Sequence, residues 1–452
     1  MSLPPGPRVP GALQTAAFMR RPIDFLLRCQ ARYGDCFRAR FQGIGQVVYV
    51  ADPADVERVY KGPADVFHAG EANAALFAPL IGRLSVMTLD GKEHLRQRKL
   101  LLPPFHGDSM RRFESVFAEV AAREVERWPV GEPFEMYPAM KRVTMEVILR
   151  AVIGVRDEAR LVELAAAVTR LDRIAPVVLP LPILQRDLGR LSPWARMVAA
   201  REALDRLVYR EIAERREAAG GDADDVLSLL VAARHDDGSP MSDRQLRDEV
   251  YDLLAAGFET SSASLAWTFE RVLRAPAVLE RLREEPGDDE YLEAVVKETL
   301  RVRPPVTDST RLLKREAEVA GHLLPAGTQV VVALPLLHLR PSVWSDPFEF
   351  RPGRWLEGGE GGQPYTFIPF GGGVRRCIGA AFAMLEMKVM LRTVLERARL
   401  RAAWPEDEAQ RLHHVVVVPA RGAKVVLDER PASRAAAPAA ATPAAAAAAG
   451  RG

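Results

Sequence analysis

Cys377 stands in Pro369-Phe370-Gly371-Gly372-Gly373-Val374-Arg375-Arg376-Cys377-Ile378-Gly379, which runs straight into an apolar-periodic helix from Ala380 to Ala398. A helix N-terminus offers unpaired N–H groups and the positive end of the helix dipole. With two arginines close by, both favour a thiolate over a thiol. The glycines let backbone approach a flat ligand closely. Taken alone, such a cysteine is more often a nucleophile, a neighbour of a phosphate loop or inert packing. Glu259-Thr260 joins a carboxylate to a hydroxyl, a pairing suited to general acid work, although a lone Glu-Thr pair is usually a solvated helix face. Glu298 and Arg301, three residues apart, share one helix face and by themselves read as a surface ion pair. His94 and Arg98 are spaced i and i+4, and Arg311 follows Pro304-Pro305; a solvated arginine is the ordinary reading of each.

Long helices must position these groups. A capping-box pattern, Ser242 with Gln245 three residues on, opens a helix that continues to about Arg274 before Pro276. That is ~32 residues, or ~48 Å at 1.5 Å per residue, enough to cross a whole domain. In its middle Ala255-Ala256-Gly257-Phe258-Glu259-Thr260-Ser261-Ser262 combines glycine with hydroxyls that compete for backbone bonds, so the spacing predicts a locally loosened ladder and a ligand site. Helical periodicity also marks Glu114 to Trp128, Leu161 to Leu171, Trp194 to Ala218 and Tyr291 to Arg303. Strands are few: a hairpin from Cys36 to Val50 and another from His413 to Leu427 around Pro419 to Gly422. The fold class is mainly α with small β-sheets. Residues 1–430 form a single domain; 431–452, rich in Ala and Pro, read as a disordered tail. Ala175 to Leu184, apolar or proline throughout, reads equally as a hydrophobic lid or a buried loop.

Composition narrows the function classes. Lys and Arg total 62 against 60 Asp and Glu, a net charge of +2, which supplies no field for nucleic acid. Cys29, Cys36 and Cys377 are odd in number and lack a CxxC pair, which argues against a disulfide framework and against a zinc or iron-sulfur cluster. A reducing, cytoplasmic setting is expected. No leader pattern opens the chain, and no uncharged apolar run reaches the ~18 residues of a membrane span.

Phe370, Gly373, Arg375, Cys377 and Gly379 match the FxxGxRxCxG loop of the cytochrome P450 superfamily, which the chain resembles from its proline-rich entry to its last hairpin, and closest in its soluble bacterial members. Glu298 and Arg301 resemble the family's ExxR. Phe350-Arg351-Pro352-Gly353-Arg354-Trp355 resembles its FxPxRW segment, whose arginine, here Arg354, completes a buried structural triad. Ala256-Gly257-Phe258-Glu259-Thr260-Ser261 looks like its AGxET(T/S) oxygen-activation stretch. The resemblance implies haem b between the long central helix and the cysteine-bearing helix, with Cys377 as axial iron ligand and Phe370 beside its sulfur. It further implies His94, Arg98, Arg311 and Arg375 at the haem propionates, and Thr260 and Glu259 in proton delivery. Thiolate donation favours O–O cleavage, and one oxygen atom enters an apolar small molecule such as a fatty acid, terpenoid, steroid-like compound or polyketide. Leu253, Ala256, Val306, Thr307, Val416 and Val417 are the expected pocket residues by family topology.

No dinucleotide fingerprint follows a strand: Gly43-Ile44-Gly45 lacks a third glycine. The two electrons of each turnover are therefore expected from NAD(P)H through separate proteins, a ferredoxin or flavodoxin with its reductase, docking on a monomer at Arg376, Lys388, Arg96 and Lys99. Two other classes compete. A haem sensor or carrier has little use for Glu259-Thr260, and a cysteine hydrolase needs a histidine base, which none of the 8 histidines supplies beside Cys377 in sequence.

Overall fold

The computed structural model describes residues 3–431 apart from 106, 180–181, 219–224 and 357–361. Residues 432–452 of the tail, and part of the Ala175 to Leu184 stretch, lie outside the described residues. Ser242 caps the central helix, Asp243–Val272, through the expected reciprocal bonds: Gln245 N donates to Ser242 Oγ at 3.3 Å and Ser242 N to Gln245 Oε1 at 2.9 Å. Thirty residues at 1.5 Å each carry it about 45 Å through the molecule. It packs on Met136–Ile148, on Asp289–Val302 and on the cysteine-bearing helix Ala380–Arg397. Gly257 makes room for the first of these neighbours, since a Cβ there would lie 2.5 Å from Ile148 Cδ1.

The expected loosening of this helix is absent; Asp243–Val272 is continuous α-helix. The hydroxyls find partners inside the ladder instead of competing with it. Thr260 Oγ1 donates to Ala256 O at 2.7 Å, Ser264 Oγ to Thr260 O at 2.9 Å and Thr268 Oγ1 to Ser264 O at 2.8 Å. The other periodic stretches emerge as Asp108–Glu126, Glu158–Val178, Pro193–Glu217 and Asp289–Val302.

Strands in chain order are β1 (Cys36–Phe41), β2 (Gly45–Val50), β3 (Phe67–His68), β4 (Pro133–Glu135), β5 (Asp308–Leu313), β6 (Ala317–Val319), β7 (His322–Leu324), β8 (Gln329–Ala333), β9 (Arg399–Ala402), β10 (Gln410–His413), β11 (Val416–Pro419) and β12 (Lys424–Glu429). The largest sheet has the order β1-β2-β8-β5-β3, with β2 and β8 parallel and the other pairs antiparallel. The first expected hairpin is present as β1–β2. The second is corrected: β11 pairs back onto β10, and β12 joins β4 and β9 in another sheet. The far edge of β11 is already taken, because Val417 N donates to Pro305 O at 2.7 Å and Val417 O accepts from Trp267 Nε1 at 2.8 Å. Edge strand and central helix are thus locked together.

The segment after the helix Ala69–Ile81 is held by its backbone. Three carboxylates near the start of the central helix accept from it: Asp248 from Leu84 N at 3.0 Å, Glu249 from Val86 N at 2.8 Å and Asp252 from Met87 N at 3.2 Å. Burial raises Asp252 to about 7 and Glu249 well above its ordinary range.

Candidate active site

Gly379 caps the helix Ala380–Arg397, which puts Cys377 just outside its first turn. Cys377 N donates to Phe370 O at 2.9 Å, closing the loop so that Phe370 and Cys377 line one cavity of about 220 Å³ with Arg98, Ile378 and Ala381. The turn depends on glycine at Gly373, where φ is 61° and a Cβ would sit 2.8 Å from Tyr60 O. In the chain alone, burial raises the Cys377 thiol above its ordinary range; the Gly379 N–H, Arg98 and Arg376 act in the opposite direction without overcoming it. The Gly379 N–H, Arg98 and Arg376 therefore pull toward thiolate, in the direction the loop sequence led one to expect. Cys29 and Cys36 are unpaired thiols, each raised to about 11 by burial.

His94, Arg98, Arg311 and Arg375 come together from three separate parts of the chain. His94 is buried on the helix Gly91–Leu101, and burial followed by the charges of Arg375 and Arg98 lowers it to about 4, so it is neutral. Arg98 Nη2 donates to Arg376 O at 2.6 Å, and Arg311 lies on β5 over the Tyr60 ring with Nη1 donating to Ser309 Oγ at 3.1 Å. Arg375 reaches Val86 O at 3.0 Å, Leu89 O and Asp90 Oδ1 at 2.6 Å. Burial and mutual repulsion lower Arg375 to about 10, with Asp90 opposing; burial also lowers Arg311 and Arg98. Of these three cations, Arg375 and Arg311 feel Asp90 as a nearby acid, and Arg98 does not. Such an arrangement suits a dianionic ligand, and the two carboxylates of haem are one.

The triad lies where the resemblance implies. Glu298 and Arg301 are fully buried and Arg354 is 5% exposed. Glu298 accepts from Arg301 Nε at 2.9 Å, Arg301 Nη2 at 2.8 Å and Arg354 Nε at 3.0 Å. Two donors not anticipated from the sequence complete it: Arg351 N at 2.9 Å and Trp355 Nε1 at 3.0 Å. Arg301 also holds His338 O at 3.0 Å, Pro347 O at 2.6 Å and Glu349 O at 2.9 Å, so its guanidinium ties the end of the helix Leu334–His338 and the segment after it to the helix Asp289–Val302.

On the central helix, Ala256 is exposed and Thr260, one turn on, half-buried, while most of the surrounding turns are buried; both keep accessible surface in mid-helix. Glu259 is 7% exposed and is met by Tyr137 Oη at 3.3 Å, Lys141 Nζ at 3.4 Å, His413 Nδ1 at 3.1 Å and His414 Nδ1 at 2.9 Å. Burial opposes its charge, but bonds from both histidines and the charges of His414 and Lys141 prevail and hold the carboxyl well below its usual range. Sequence reasoning missed these four partners; the adjacent His413-His414 was the available signal. Of the expected pocket residues, Leu253 and Val306 are half-buried, whereas Thr307, Val416 and Val417 are buried. Three of the four expected docking cations are already paired: Arg96 with Asp237 at 2.5 Å, Lys99 with Asp236 at 2.5 Å and Lys388 with Asp289 at 2.6 Å. Exposed pairs of this kind are weak, but they cancel much of the patch's field.

Among the described residues no helix is long and apolar enough to cross a membrane. The model of the family described as Cytochrome P450 matches residues 2–427. A Mycobacterium tuberculosis protein named cytochrome P450 135B1 is 42% identical over 438 residues, covering 94% of this chain and 91% of its own length. Cytochrome P450 138 of the same organism is 37% identical over 432 residues, 95% of this chain and 97% of its own. Retinoic acid bound cyanobacterial CYP120A1 superposes with a TM-score of 0.82 at 24% identity, covering 95% of this chain and 100% of that one, a likeness of fold. Kinship along nearly the whole length and a cysteine loop braced as the motif requires lead to one conclusion: the chain belongs to the cytochrome P450 family and is an oxidoreductase of the monooxygenase type.

Proposed function

We propose that the chain is a haem-thiolate monooxygenase that hydroxylates an apolar small molecule, of fatty acid, terpenoid, steroid-like or polyketide type. The observation that carries this reading is that Cys377 and Arg98 line one cavity while a neutral His94 lies in the field of Arg98, Arg311 and Arg375, a donor set suited to an iron porphyrin with two carboxylates. When bound, haem supplies the activation of dioxygen. Cys377 Sγ would hold the iron, Phe370 pack beside that sulfur, and Gly373 and Gly379 shape the loop. Arg98, Arg311, Arg375 and His94 would bind the propionates.

Thr260 Oγ1, now donating to Ala256 O, would turn to hold a proton at the site where dioxygen reacts, and Glu259 would supply it. Leu253, Ala256, Val306, Thr307, Val416 and Val417 would shape an apolar pocket that orients substrate and excludes water. Electrons would come from NAD(P)H through a ferredoxin or flavodoxin and its reductase; with Arg96, Lys99 and Lys388 paired in the free chain, docking would have to exchange those partners. The absorption band of the reduced protein under carbon monoxide tests ligation: a strong red shift is expected, lost in Cys377→Ala, and a haem spectrum lacking the shift in the unaltered protein would refute it. Thr260→Ala should keep haem but divert reductant to hydrogen peroxide, read as product formed per NAD(P)H consumed; unchanged coupling would remove Thr260 from the reaction.

A further inference from the structure

Glu259 and Thr260 are consecutive and so project about 100° apart around the central helix. On its own side Glu259 meets the tip of the β10–β11 hairpin, where His413 pairs with Val416 and His414-Val415 make the two-residue connection. His414 has φ 57°, a left-handed position that such connections usually give to Gly or Asn and that costs another residue about 1 kcal/mol. The strained residue is the one whose side chain grips the carboxylate. His414 Nδ1 lies 2.9 Å from Glu259 Oε2 and His413 Nδ1 3.1 Å from Oε1, with the two rings stacked at 3.9 Å.

Among the described residues this is the one group of three such donors whose ligand atoms all lie within 4.8 Å of one another. A tetrahedral zinc-type ion with bonds of ~2.1 Å keeps its donors ~3.4 Å apart, and the two nitrogens, which now meet different oxygens of Glu259 at 3.1 and 2.9 Å, would turn from those bonds to share one ion. Two histidines and one glutamate are a donor set that holds zinc with a fourth position left for water. Lys141, the resident cation, also bonds Asp172 at 3.0 Å and can remain there when an ion takes the carboxylate. The His413 side chain, 32% exposed, provides the way in.

We propose that Glu259, His413 and His414 form a binding site for a divalent transition-metal ion of the zinc type, separate from the Cys377 site, whose occupation ties Glu259 to the hairpin and slows turnover. The slowing rests on the reading of Glu259 as proton carrier; the binding does not. The test is equilibrium dialysis of the untagged holoenzyme against Zn²⁺, with zinc and iron counted by elemental analysis. One zinc per iron is expected, weakened at least ~10-fold in His413→Gln/His414→Asn. Asn suits the left-handed turn, and an unchanged band under carbon monoxide verifies the variant's fold; His414→Asn alone is the second variant. Zinc should slow the wild type at the concentrations that fill the site and leave the double variant's rate as it was without zinc. Absence of stoichiometric zinc in the wild type, or equal binding in the folded variants, overturns the proposal. Zinc bound through the histidines with turnover untouched leaves the site standing and removes Glu259 from the proton route.

Discussion

Glu386, on the inner face of the cysteine-bearing helix, is 1% exposed; a Ser261 hydroxyl bonds it, and its Oε2 has no partner among the described residues. Burial raises its carboxyl from 4.5 to about 8. Between those values the folded chain holds a proton that the unfolded chain has released, so stability falls as pH rises, beginning near 4.5 and complete above about 8. At ~1.4 kcal/mol per pH unit the full loss is roughly 5 kcal/mol, and roughly 3 of it has accrued by pH 7. Glu386→Gln cannot ionise. Its carbonyl can still accept from Ser261, while its amide leaves buried N–H groups poorly bonded at a cost of about 1–3 kcal/mol. The variant should therefore be slightly less stable than wild type at pH 5 and more stable at pH 8.5, with the difference changing sign in between. Urea unfolding of both proteins across that range, followed by circular dichroism, measures it. Asp252 and Asp308, raised to about 7 and about 6, titrate in the same window in both proteins and cancel in the difference. If the two midpoints move in parallel from pH 5 to 8.5, the folded protein ionises Glu386 without penalty and the reasoning fails.

Glu298→Gln sets an amide against five donors and leaves two buried guanidinium groups without their counter-charge, a loss of about 3–5 kcal/mol. Thermal unfolding and the iron content of purified protein should both fall, and a variant matching wild type in both would show that the triad is dispensable. Gly373→Ala must strain a left-handed residue and push the loop off Tyr60 O, about 2 kcal/mol or more; weakened haem retention, followed by transfer of haem to an acceptor protein, is the expected sign.

The site was legible where chemistry is tied to contiguous residues. Cys377 with its glycines and arginines, the ExxR pair and the capped central helix are each short-range patterns; the structure pairs Glu298 with Arg301 and starts the central helix at the Ser242 cap, but it buries the pair that spacing alone leaves on the surface. What the sequence concealed was long-range pairing. β8 joins β2 from far along the chain and carries β5 on its other edge, and β11 turns back onto β10 because Trp267 and Pro305 occupy its other edge. Nor did Glu259 disclose whether it faces water. Its environment is set by Tyr137, Lys141, His413 and His414, which arrive from two distant elements. The cationic patch was legible only in part for a related reason: counting Arg96, Lys99 and Lys388 says nothing of the aspartates that fold against them.

The carboxylate row Asp248, Glu249 and Asp252 grips Leu84, Val86 and Met87 only by their peptide N–H groups, and Arg375 grips Val86 and Leu89 by their carbonyls. Every L-amino acid except proline presents the same amide. The side chains of this segment are consequently free of the duty of holding it in place and can be exchanged for others without casting the loop adrift. Gly82, Ser85 and Thr88 are exceptions, since a Cβ at Gly82 would meet the Asp248 carboxylate at 2.0 Å, the buried Ser85 hydroxyl bonds Asp252 and Thr88 Oγ1 donates to Ser85 O. A stretch moored in this way can drift in sequence, under selection for a new substrate or in a mutant library, while the helix beneath it stays as it is.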